Sequence, residues 1–404
     1  MNQLLSLGLI LLLALMAGHL AKALRVPEVT GYILAGVVVG PSGLGWINQE
    51  NLSALSVFSE VALGLILFSI GSAFDFQRVR KLGRGLVQVT GTESLLSAGL
   101  VFGAMLACGQ NWQVALLLGA ISMETAAAST LIVIRECEAS GPLTDTLIGV
   151  IGINNIFCLT AFSMTAAAID LAAQVRMNGF VFSALYDAGY PLVWQLVGSA
   201  ALGYLMGVVI ASWAPKVMAH GETLILLIGC VLLCVGTATY LELSPLVASL
   251  AVGATMANLS LESRRLFGAL SHSDPPFYAV FFVIAGADLN LGLLTTIGAL
   301  GVVYVLCRAA GKLAGARIGA HRAGLPHQVQ RLLGFALMSQ AGLAVGLTLT
   351  VSRRFPEFSP QVVAIVLAAV IVYETVGPVS ARIAILRSGE ARAKEAPGTA
   401  GATA

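Results

Sequence analysis

The sequence predicts an all-α membrane protein that crosses the bilayer many times, and three properties of its composition support this fold class. Of its 404 residues, 57% are hydrophobic and only 10% are charged, and the mean hydropathy is +0.90. Charged residues make up about a quarter of an ordinary soluble domain, so a soluble fold of this length would lack polar surface. The 44 glycines suit helices that pack closely in lipid. We therefore expect a polytopic helical protein.

Thirteen apolar stretches, bounded by Pro, Gly or charged residues, are predicted to be transmembrane helices. A bilayer core about 30 Å thick needs roughly 20 apolar residues per helix. The predicted spans are 3–24, 28–47, 54–74, 86–108, 112–137, 143–169, 190–214, 222–240, 244–260, 274–288, 291–316, 330–352 and 360–386. The remaining segment, 388–404, is polar and rich in Ala and Gly, which predicts a disordered cytoplasmic tail.

The distribution of Lys and Arg predicts that the N-terminus lies outside and the C-terminus in the cytoplasm. In this orientation seventeen of the 22 bases lie on the inner side and three on the outer side, as the positive-inside rule requires. The other two, Arg308 and Lys312, fall within predicted spans. We expect a multi-pass protein of the inner (plasma) membrane, surrounded by the lipid bilayer. A net charge of +2 without any basic run predicts no nucleic-acid partner.

A short pattern shared by the third and tenth spans predicts an inverted repeat. Residues 68–76 read FSIGSAFDF and residues 283–291 read VIAGADLNL, so both run through small residues and Gly to a polar residue. Seven spans separate the two segments, and an odd offset reverses the direction through the membrane. Spans 1–6 then correspond to spans 8–13, and the span at 190–214 links the two halves.

The repeat pairs span 5 with span 12, and both carry small and polar residues at mid-depth. These residues are Ser122–Thr130 in span 5 and Met338–Gly346 in span 12. They are typical of discontinuous helices whose half-helix ends face a substrate, although small faces for tight packing are an alternative. We expect two crossed discontinuous helices, with Gln340 and Gly342 in the second.

Charged and polar side chains near the middle of a bilayer are costly, so each is a candidate functional residue. At about 1.5 Å per residue, four such side chains lie roughly 14–21 Å from a membrane face. They are Glu124, Asn155, Arg308 and Glu374, with Lys312 one turn nearer the cytoplasm. We expect Glu374 to balance charge by pairing with Arg308 or Lys312. By contrast, Glu60 and Glu93 fall within three turns of predicted helix ends and are expected to serve packing or an access path.

Glu124 lies inside the predicted break, beside Ser122 and Thr125, where released backbone carbonyls could join its carboxylate around a cation. A buried carboxylate that titrates near neutral pH holds either a proton or a monovalent cation, because both compete for the same oxygens. Arg308 cannot release its proton, so it would balance charge or neutralise the carbonyl ends of the broken helices. Lys312 could balance charge or carry a proton. A tight ion pair between Glu124 and Arg308 would spoil the competition, and the sequence leaves this geometry open.

Several motifs resemble monovalent cation:proton antiporters of family 2, in the sodium/proton exchanger superfamily. The resemblance extends over 1–387 and is carried by Val26–Gly45, Ser59–Gly71, Thr125–Glu136 with Gly141-Pro-Leu-Thr144, and Tyr373–Pro378. It implies an inverted-repeat fold of thirteen helices that usually forms a homodimer. It also implies scaffold helices at about 3–74 and 222–288, and a core at about 86–169 and 291–386 that moves as an elevator.

The resemblance further implies an ion-binding pair in span 6, Asp–Asp or Asn–Asp, and a basic partner in span 11. Here the pair falls on Asn154 and Asn155, and the bases are Arg308 and Lys312. An asparagine cannot bind and release a proton near neutral pH. Either the carboxylate has moved to Glu124, a position usually small in the relatives, or proton coupling is lost. We favour relocation, with both asparagines as neutral oxygen ligands or as partners of Arg308.

Three functions remain open at this point. The first is an antiporter that exchanges Na⁺ or K⁺ for H⁺ through Glu124. The second is a carrier or channel of the same fold for an anion or small organic solute, bound by Arg308 and Lys312. The third is a sensor that does not transport. We expect no enzyme, cofactor or metal, because no nucleophile–base pair, phosphate loop or metal motif is visible, and the six cysteines read as small hydrophobes.

Overall fold

A computed structural model of the chain describes residues 3–24, 28–71, 76–178, 193–271, 273, 275–287 and 291–391. Within these ranges the regular secondary structure consists of sixteen α-helices and two short helical turns, without a strand. The helices are α1 (Gln3–Ala23), α2 (Glu28–Val39), α3 (Gln49–Gly71), α4 (Phe76–Ala107), α5 (Trp112–Ser122), α6 (Ala127–Glu136), α7 (Pro142–Asn178), α8 (Ser199–Trp213), α9 (His220–Tyr240), α10 (Pro245–Leu259), α11 (Ser263–Ser271), α12 (Pro275–Ala287), α13 (Leu291–Arg322), α14 (His327–Ala336), α15 (Gly342–Arg354) and α16 (Ser359–Ser388). The all-α prediction is confirmed for this part of the chain.

Seven segments of these helices are both long and apolar enough to cross a membrane. They are Leu4–Ala23, Gly83–Ala107, Pro142–Ala173, Trp194–Lys216, His220–Tyr240, Gly298–Arg322 and Ser359–Ser388. Shorter apolar helices lie between them, and every predicted span contains at least one helix. The count of thirteen crossings stays a prediction.

Several helix boundaries differ from the prediction, and one of the described helices was not predicted. α4 begins at Phe76, ten residues before the predicted start at 86, because the polar first turns continue as helix through a kink at Gly83, where φ is +61°. α11 was not predicted at all, since its arginines lower the hydropathy of a short amphipathic segment. Its Arg265 donates to the carbonyls of Val217, at 2.9 Å, and Ala214, at 2.8 Å.

The start of the predicted disordered tail is ordered. Ser388 ends α16, and Gly389 follows it in the left-handed region. The Glu390 carboxylate then caps α7 by accepting from the N–H groups of Leu143 (2.7 Å) and Thr144 (2.8 Å) and from the Thr144 hydroxyl (2.7 Å). A carboxylate at a helix N-terminus satisfies unpaired N–H groups and suits the helix dipole. Residues 392–404 of the predicted tail lie outside the described residues.

Two close helix crossings occupy equivalent places in the two halves of the predicted repeat. α3 crosses α10, where a Cβ added at Gly253 would lie 2.0 Å from the carbonyl oxygen of Phe68. α2 crosses α12, where a Cβ added at Gly286 would lie 2.1 Å from the carbonyl oxygen of Ile33. The repeat exchanges α3 with α12 and α2 with α10, so it converts one crossing into the other. The segments 72–75 and 288–290 of the repeat pattern lie outside the described residues.

α4 and α13 form the closest long contact among the helices of the predicted core. Glycines spaced four residues apart on α13 face the α4 backbone, so that a Cβ at Gly311 would lie 2.5 Å from the Ser97 Cα and one at Gly315 would lie 2.6 Å from the Glu93 Cα. Small residues at this spacing let helix axes approach closely. The approach brings the charged side chains of α13 against α4 and α5. The division into scaffold and mobile core stays a prediction.

Candidate functional site

Two helices are interrupted, and their breaks meet in the interior. The first break, at 123–126, separates α5 from α6, and the second, at 337–341, separates α14 from α15. The N–H of Ala126 donates to the carbonyl of Ser339 at 3.0 Å, which joins the breaks. The carbonyl ends of α5 and α14 and the N–H ends of α6 and α15 therefore lie together. Each such end carries unpaired backbone groups and a partial charge of about half a unit.

Arg308 lies on α13 with no solvent exposure, and its guanidinium binds the carbonyl ends of both broken helices. Nε donates to the Ser122 carbonyl (3.1 Å), and Nη1 donates to the Met338 carbonyl (2.8 Å). Nη2 donates to the carbonyls of Glu124 (2.6 Å) and Ser339 (3.3 Å). These contacts are the ones expected if Arg308 neutralises carbonyl ends, one of the roles that the sequence left open, and the role itself stays a prediction.

Lys312, one turn further along α13, forms a buried ion pair with Glu93 of α4. Its ammonium also donates to the Met123 carbonyl at 2.6 Å and to the Thr125 hydroxyl at 2.7 Å. Both charged side chains are completely buried. Glu93, which was expected to serve packing or an access path, is thus the ion-pair partner of Lys312, a contact that the sequence analysis did not predict.

Glu124 lies in the first break, and only 1% of the residue is exposed. Its carboxylate accepts from the N–H of Ala341, at the start of α15, at 3.3 Å and 3.5 Å to the two oxygens. Among the described residues no basic side chain forms an ion pair with this carboxylate. Arg308 binds the backbone carbonyl of Glu124 and not its carboxylate, and Lys312 pairs with Glu93. The tight ion pair that would prevent competition between proton and cation is thus not formed.

The adjacent asparagines of α7 differ in their contacts. The Asn154 amide donates to the Met123 carbonyl (2.8 Å), to the Ser94 hydroxyl (2.9 Å) and to Glu93 (3.2 Å). Within the described part of the chain, the Asn155 amide donates only to the carbonyl of Ile151 in its own helix. Both side chains are completely buried, and neither Oδ1 has a hydrogen-bond partner among the described residues. Neither asparagine is a partner of Arg308, but both offer neutral oxygens.

Glu374 of α16 is 2% exposed and contacts neither base, contrary to the expectation that it pairs with Arg308 or Lys312. Its Oε1 accepts from the hydroxyl of Ser129, in the first turn of α6, at 3.3 Å. The buried charges thus comprise three carboxylates and two bases, of which only Glu93 and Lys312 form an ion pair within the described part of the chain.

Gln340 and Gly342, the two residues predicted in the second discontinuous helix, have different neighbours. Gln340 is buried and donates to the Ile121 carbonyl (3.2 Å) and the Tyr304 hydroxyl (3.0 Å), while its own Oε1 has no partner. A Cβ added at Gly342 would lie 3.2 Å from Ile66 of α3, so this glycine faces the predicted scaffold. The described residues contain no cluster of His, Cys, Asp and Glu suited to a metal ion.

A comparison with known protein families shows to which family the chain belongs. Residues 8–385 match the model of the transmembrane sodium/hydrogen exchangers. The chain belongs to the sodium/hydrogen exchanger family. It is therefore a multi-pass membrane protein of a transporter family, and the resemblance drawn from its motifs is confirmed at this level.

Solved structures show that this exchanger shares its fold with a sodium proton antiporter. The structure of MjNhaP1 from Methanocaldococcus jannaschii at pH 8 superposes with a TM-score of 0.76 and 15% identity, covering 95% of this chain and 98% of that chain. A second structure of MjNhaP1, an electron-microscopy map, gives a TM-score of 0.75 and 15% identity, covering 98% and 100%. At this identity the likeness concerns the fold alone.

Sequence reasoning predicted most of the exchanger's buried polar cluster but missed several of its members, including Ser94 and Tyr304. Glu93 was misplaced in depth, and Ser129, which binds Glu374, was not singled out. An earlier start of α4 would have placed Glu93 correctly, because the residue lies 17 positions after Phe76 and only seven after the predicted start at 86. No pattern in the sequence distinguishes Ser129 from the other small residues of its segment.

Proposed function

We propose that this exchanger is a secondary active antiporter that exchanges a monovalent cation, Na⁺ or K⁺, for H⁺, with Glu124 as its proton-binding and cation-binding carboxylate. One observation carries the proposal: a fully buried carboxylate lies in a helix break, receives an N–H from the opposite break and forms no ion pair with a base among the described residues. A buried charge without an ion-pair partner is costly, so this group favours either a proton or a bound cation.

The oxygens available to a cation differ from those expected from the sequence. The released carbonyls were expected to surround the cation, but those of Ser122, Met123 and Glu124 accept from Arg308 or Lys312. Neutral oxygens without donors remain on the side chains of Asn154 and Gln340. The amide nitrogens of both residues donate to carbonyls at the end of α5, so their oxygens lie close to the first break. Carboxylate and amide oxygens are suitable ligands for a hard cation.

The arrangement of the bases argues against the alternative of a carrier for anions. Arg308 directs its donors to four backbone carbonyls, and Lys312 binds Glu93, Met123 and Thr125. An anion would have to displace these contacts. The bases therefore stabilise the crossed breaks and leave substrate binding to Glu124.

Transport requires that the site open to each membrane face in turn. The proposal assigns this movement to an elevator-type displacement of the predicted core (about 86–169 and 291–386) against the predicted scaffold (about 3–74 and 222–288). Gly342, which faces α3, lies on the sliding surface. The outward N-terminus, the inner-membrane location and the homodimer belong to the same proposal.

The Glu124→Gln variant tests the function. In inverted vesicles with a pH-sensitive dye inside, wild type should respond to Na⁺ or K⁺ with a cation-dependent pH change, and Glu124→Gln should give no response. The amide keeps the size of the side chain but can neither release a proton nor neutralise a cation. Glu357→Gln, the same change on an exposed residue between α15 and α16, is the matched control and should retain the response.

Full activity of Glu124→Gln would overturn the role of this carboxylate. A folded wild type that responds to none of Na⁺, K⁺ and Li⁺ would overturn the antiporter itself.

A further inference from the structure

A cavity of about 370 Å³ lies between the predicted core and the predicted scaffold, outside the buried site. The core lines it with residues of α7 and α15, and the scaffold with residues of α3, α9 and α10. Some of its lining residues are exposed, among them Glu242 and Arg353, whereas Leu159 of α7 is buried. Leu159 follows Asn155 by one helical turn, so the cavity leads from the surface toward the amides of the site. In the predicted orientation its exposed end faces the outside.

The exposed end of this cavity carries one carboxylate in excess. Arg353 forms an ion pair with Glu60. Its neighbour Arg354 pairs with Asp170, so these four charges cancel. The carboxylate of Glu242, in the turn between α9 and α10, forms no ion pair within the described part of the chain. A cleft with walls of low dielectric constant focuses the field of such a charge and raises the local concentration of ions of the opposite sign.

The backbone at Glu242 is unfavourable for a glutamate. Its N–H and that of Leu243 donate to carbonyls in the last turns of α9, at 3.3 Å and 2.8 Å, and φ of Glu242 is +56°. Glycine is the usual residue at this left-handed position after a helix, as at Gly109 after α4 and Gly324 after α13. Within the described residues, Glu138 after α6 is the other non-glycine residue with positive φ. The backbone alone would favour glycine at 242, which points to a role for the carboxylate.

Two contacts with the segment 194–199 hold this turn in place. The indole N–H of Trp194 donates to the carbonyl of Leu241 at 3.2 Å. The N–H of Ser244 donates to the hydroxyl of Ser199 at 2.8 Å. The two contacts lie on either side of Glu242 in the sequence, so they fix this residue at the entrance of the cavity.

From these observations we propose that Glu242 attracts monovalent cations into the cavity, which serves as the entrance from the predicted outer side to the closed site around Glu124. The inference rests on the proposed function and deepens it by naming a residue that sets the rate of cation entry. Glu242 lies outside the binding site, so it raises the rate of capture and leaves the maximal rate of exchange unchanged. The attraction acts through water, and salt weakens it, because the Debye length falls from about 30 Å at 0.01 M to about 8 Å at 0.15 M.

The test measures exchange from each membrane face separately, with Na⁺ or K⁺ well below saturation and choline chloride setting the ionic strength. In right-side-out vesicles with a pH-sensitive dye inside, Glu242→Gln should lower the initial rate about threefold at about 0.01 M, because two unit charges roughly 6 Å apart in water attract by slightly more than RT. At about 0.15 M the loss should nearly disappear. The maximal rate, and all rates in inverted vesicles, should equal those of wild type. Glu357→Gln removes an exposed carboxylate that does not line the cavity, and this matched control should behave as wild type.

Two further variants separate the charge of Glu242 from the strain of its backbone. Glu242→Asp keeps the charge and should keep the wild-type rate. Glu242→Gly removes the charge but suits the left-handed backbone, so the thermal midpoint should rise while the rate at low salt falls as it does in Glu242→Gln.

An unchanged rate of Glu242→Gln in right-side-out vesicles at low salt would overturn the inference. So would a loss of rate that persists at about 0.15 M or that appears in inverted vesicles, because either would indicate a structural role. Each of these results leaves the proposed function intact, provided that wild type exchanges and Glu124→Gln does not. The two failures are therefore distinguishable.

Discussion

At the scale of single residues, Arg308 shows how a buried positive charge is stabilised without a carboxylate. Three guanidinium nitrogens donate to four carbonyls that lie at the breaks of two different interrupted helices. A planar guanidinium offers five donors in a fixed fork, whereas an ammonium is a point charge with three. The residue therefore joins the carbonyl ends of the two broken helices in a way that lysine cannot reproduce.

The Arg308→Lys variant should be less stable than wild type. At least one of the four charged hydrogen bonds is lost, and each contributes about 1.5–3 kcal/mol. We expect the free energy of unfolding to fall by about 2 kcal/mol or more and the thermal midpoint in detergent to fall with it. Arg353→Lys, the same change on an exposed arginine, should leave the midpoint nearly unchanged. Equal midpoints for the two variants would contradict this role of Arg308.

Depth along each span predicted the burial of most of the charged residues in the interior, although not of Glu93, and it did not predict which of them pair. Glu124, Arg308, Lys312 and Glu374 are all buried, as their positions in the spans indicate. Their partners depend on the rotation and register of helices that are distant in sequence. Because of this register, Glu374 accepts from a serine and does not pair with a base. The hydropathy of the sequence does not reveal the register.

At the scale of helices, the contact between α13 and α4 determines which side chains meet. The glycines of α13 allow its backbone to approach α4 so closely that Lys312 reaches Glu93. The two breaks were predictable, because small and polar residues at mid-depth marked both of them. The start of α4 and the presence of α11 were not predictable, because the sequence of a charged turn outside an apolar segment does not show whether that turn is helical.

Gly315→Ala should weaken this contact. Its Cβ would lie 2.6 Å from the Cα of Glu93 and 3.0 Å from the carbonyl oxygen of Thr92, so the helices must separate. We expect a lower thermal midpoint and slower exchange. Gly301→Ala makes the same change on α13 where no atom lies within 4 Å, and it should leave both quantities unchanged or raise the midpoint. Similar effects of the two substitutions would show that the close approach is unimportant.

At the scale of the whole molecule, two neighbouring arginines at the end of α15 make different connections. Arg353 forms an ion pair with Glu60 of α3, whereas Arg354 pairs with Asp170 of α7. In the predicted division, the first pair joins core to scaffold and the second lies within the core. An elevator movement would therefore break the first pair in every cycle and preserve the second.

Arg353→Gln should accelerate exchange in proteoliposomes. An exposed ion pair contributes about 1 kcal/mol or less, so its removal should raise the initial rate by up to about fivefold while cation affinity stays constant. Arg354→Gln is the matched control, and the rate should not change. Equal acceleration by the two variants would contradict the proposed division between core and scaffold.

The cap that Glu390 places on α7 has a practical consequence for anyone who attaches a reporter to this chain. α7 carries Asn154 and Asn155, so the helix that carries the site's amides begins at a contact made by residue 390. A fluorescent protein or affinity tag spliced in before that glutamate would leave the first turn of α7 without its carboxylate. Fusions are better placed after Ala391, with a flexible spacer that leaves the contact between Glu390 and α7 intact.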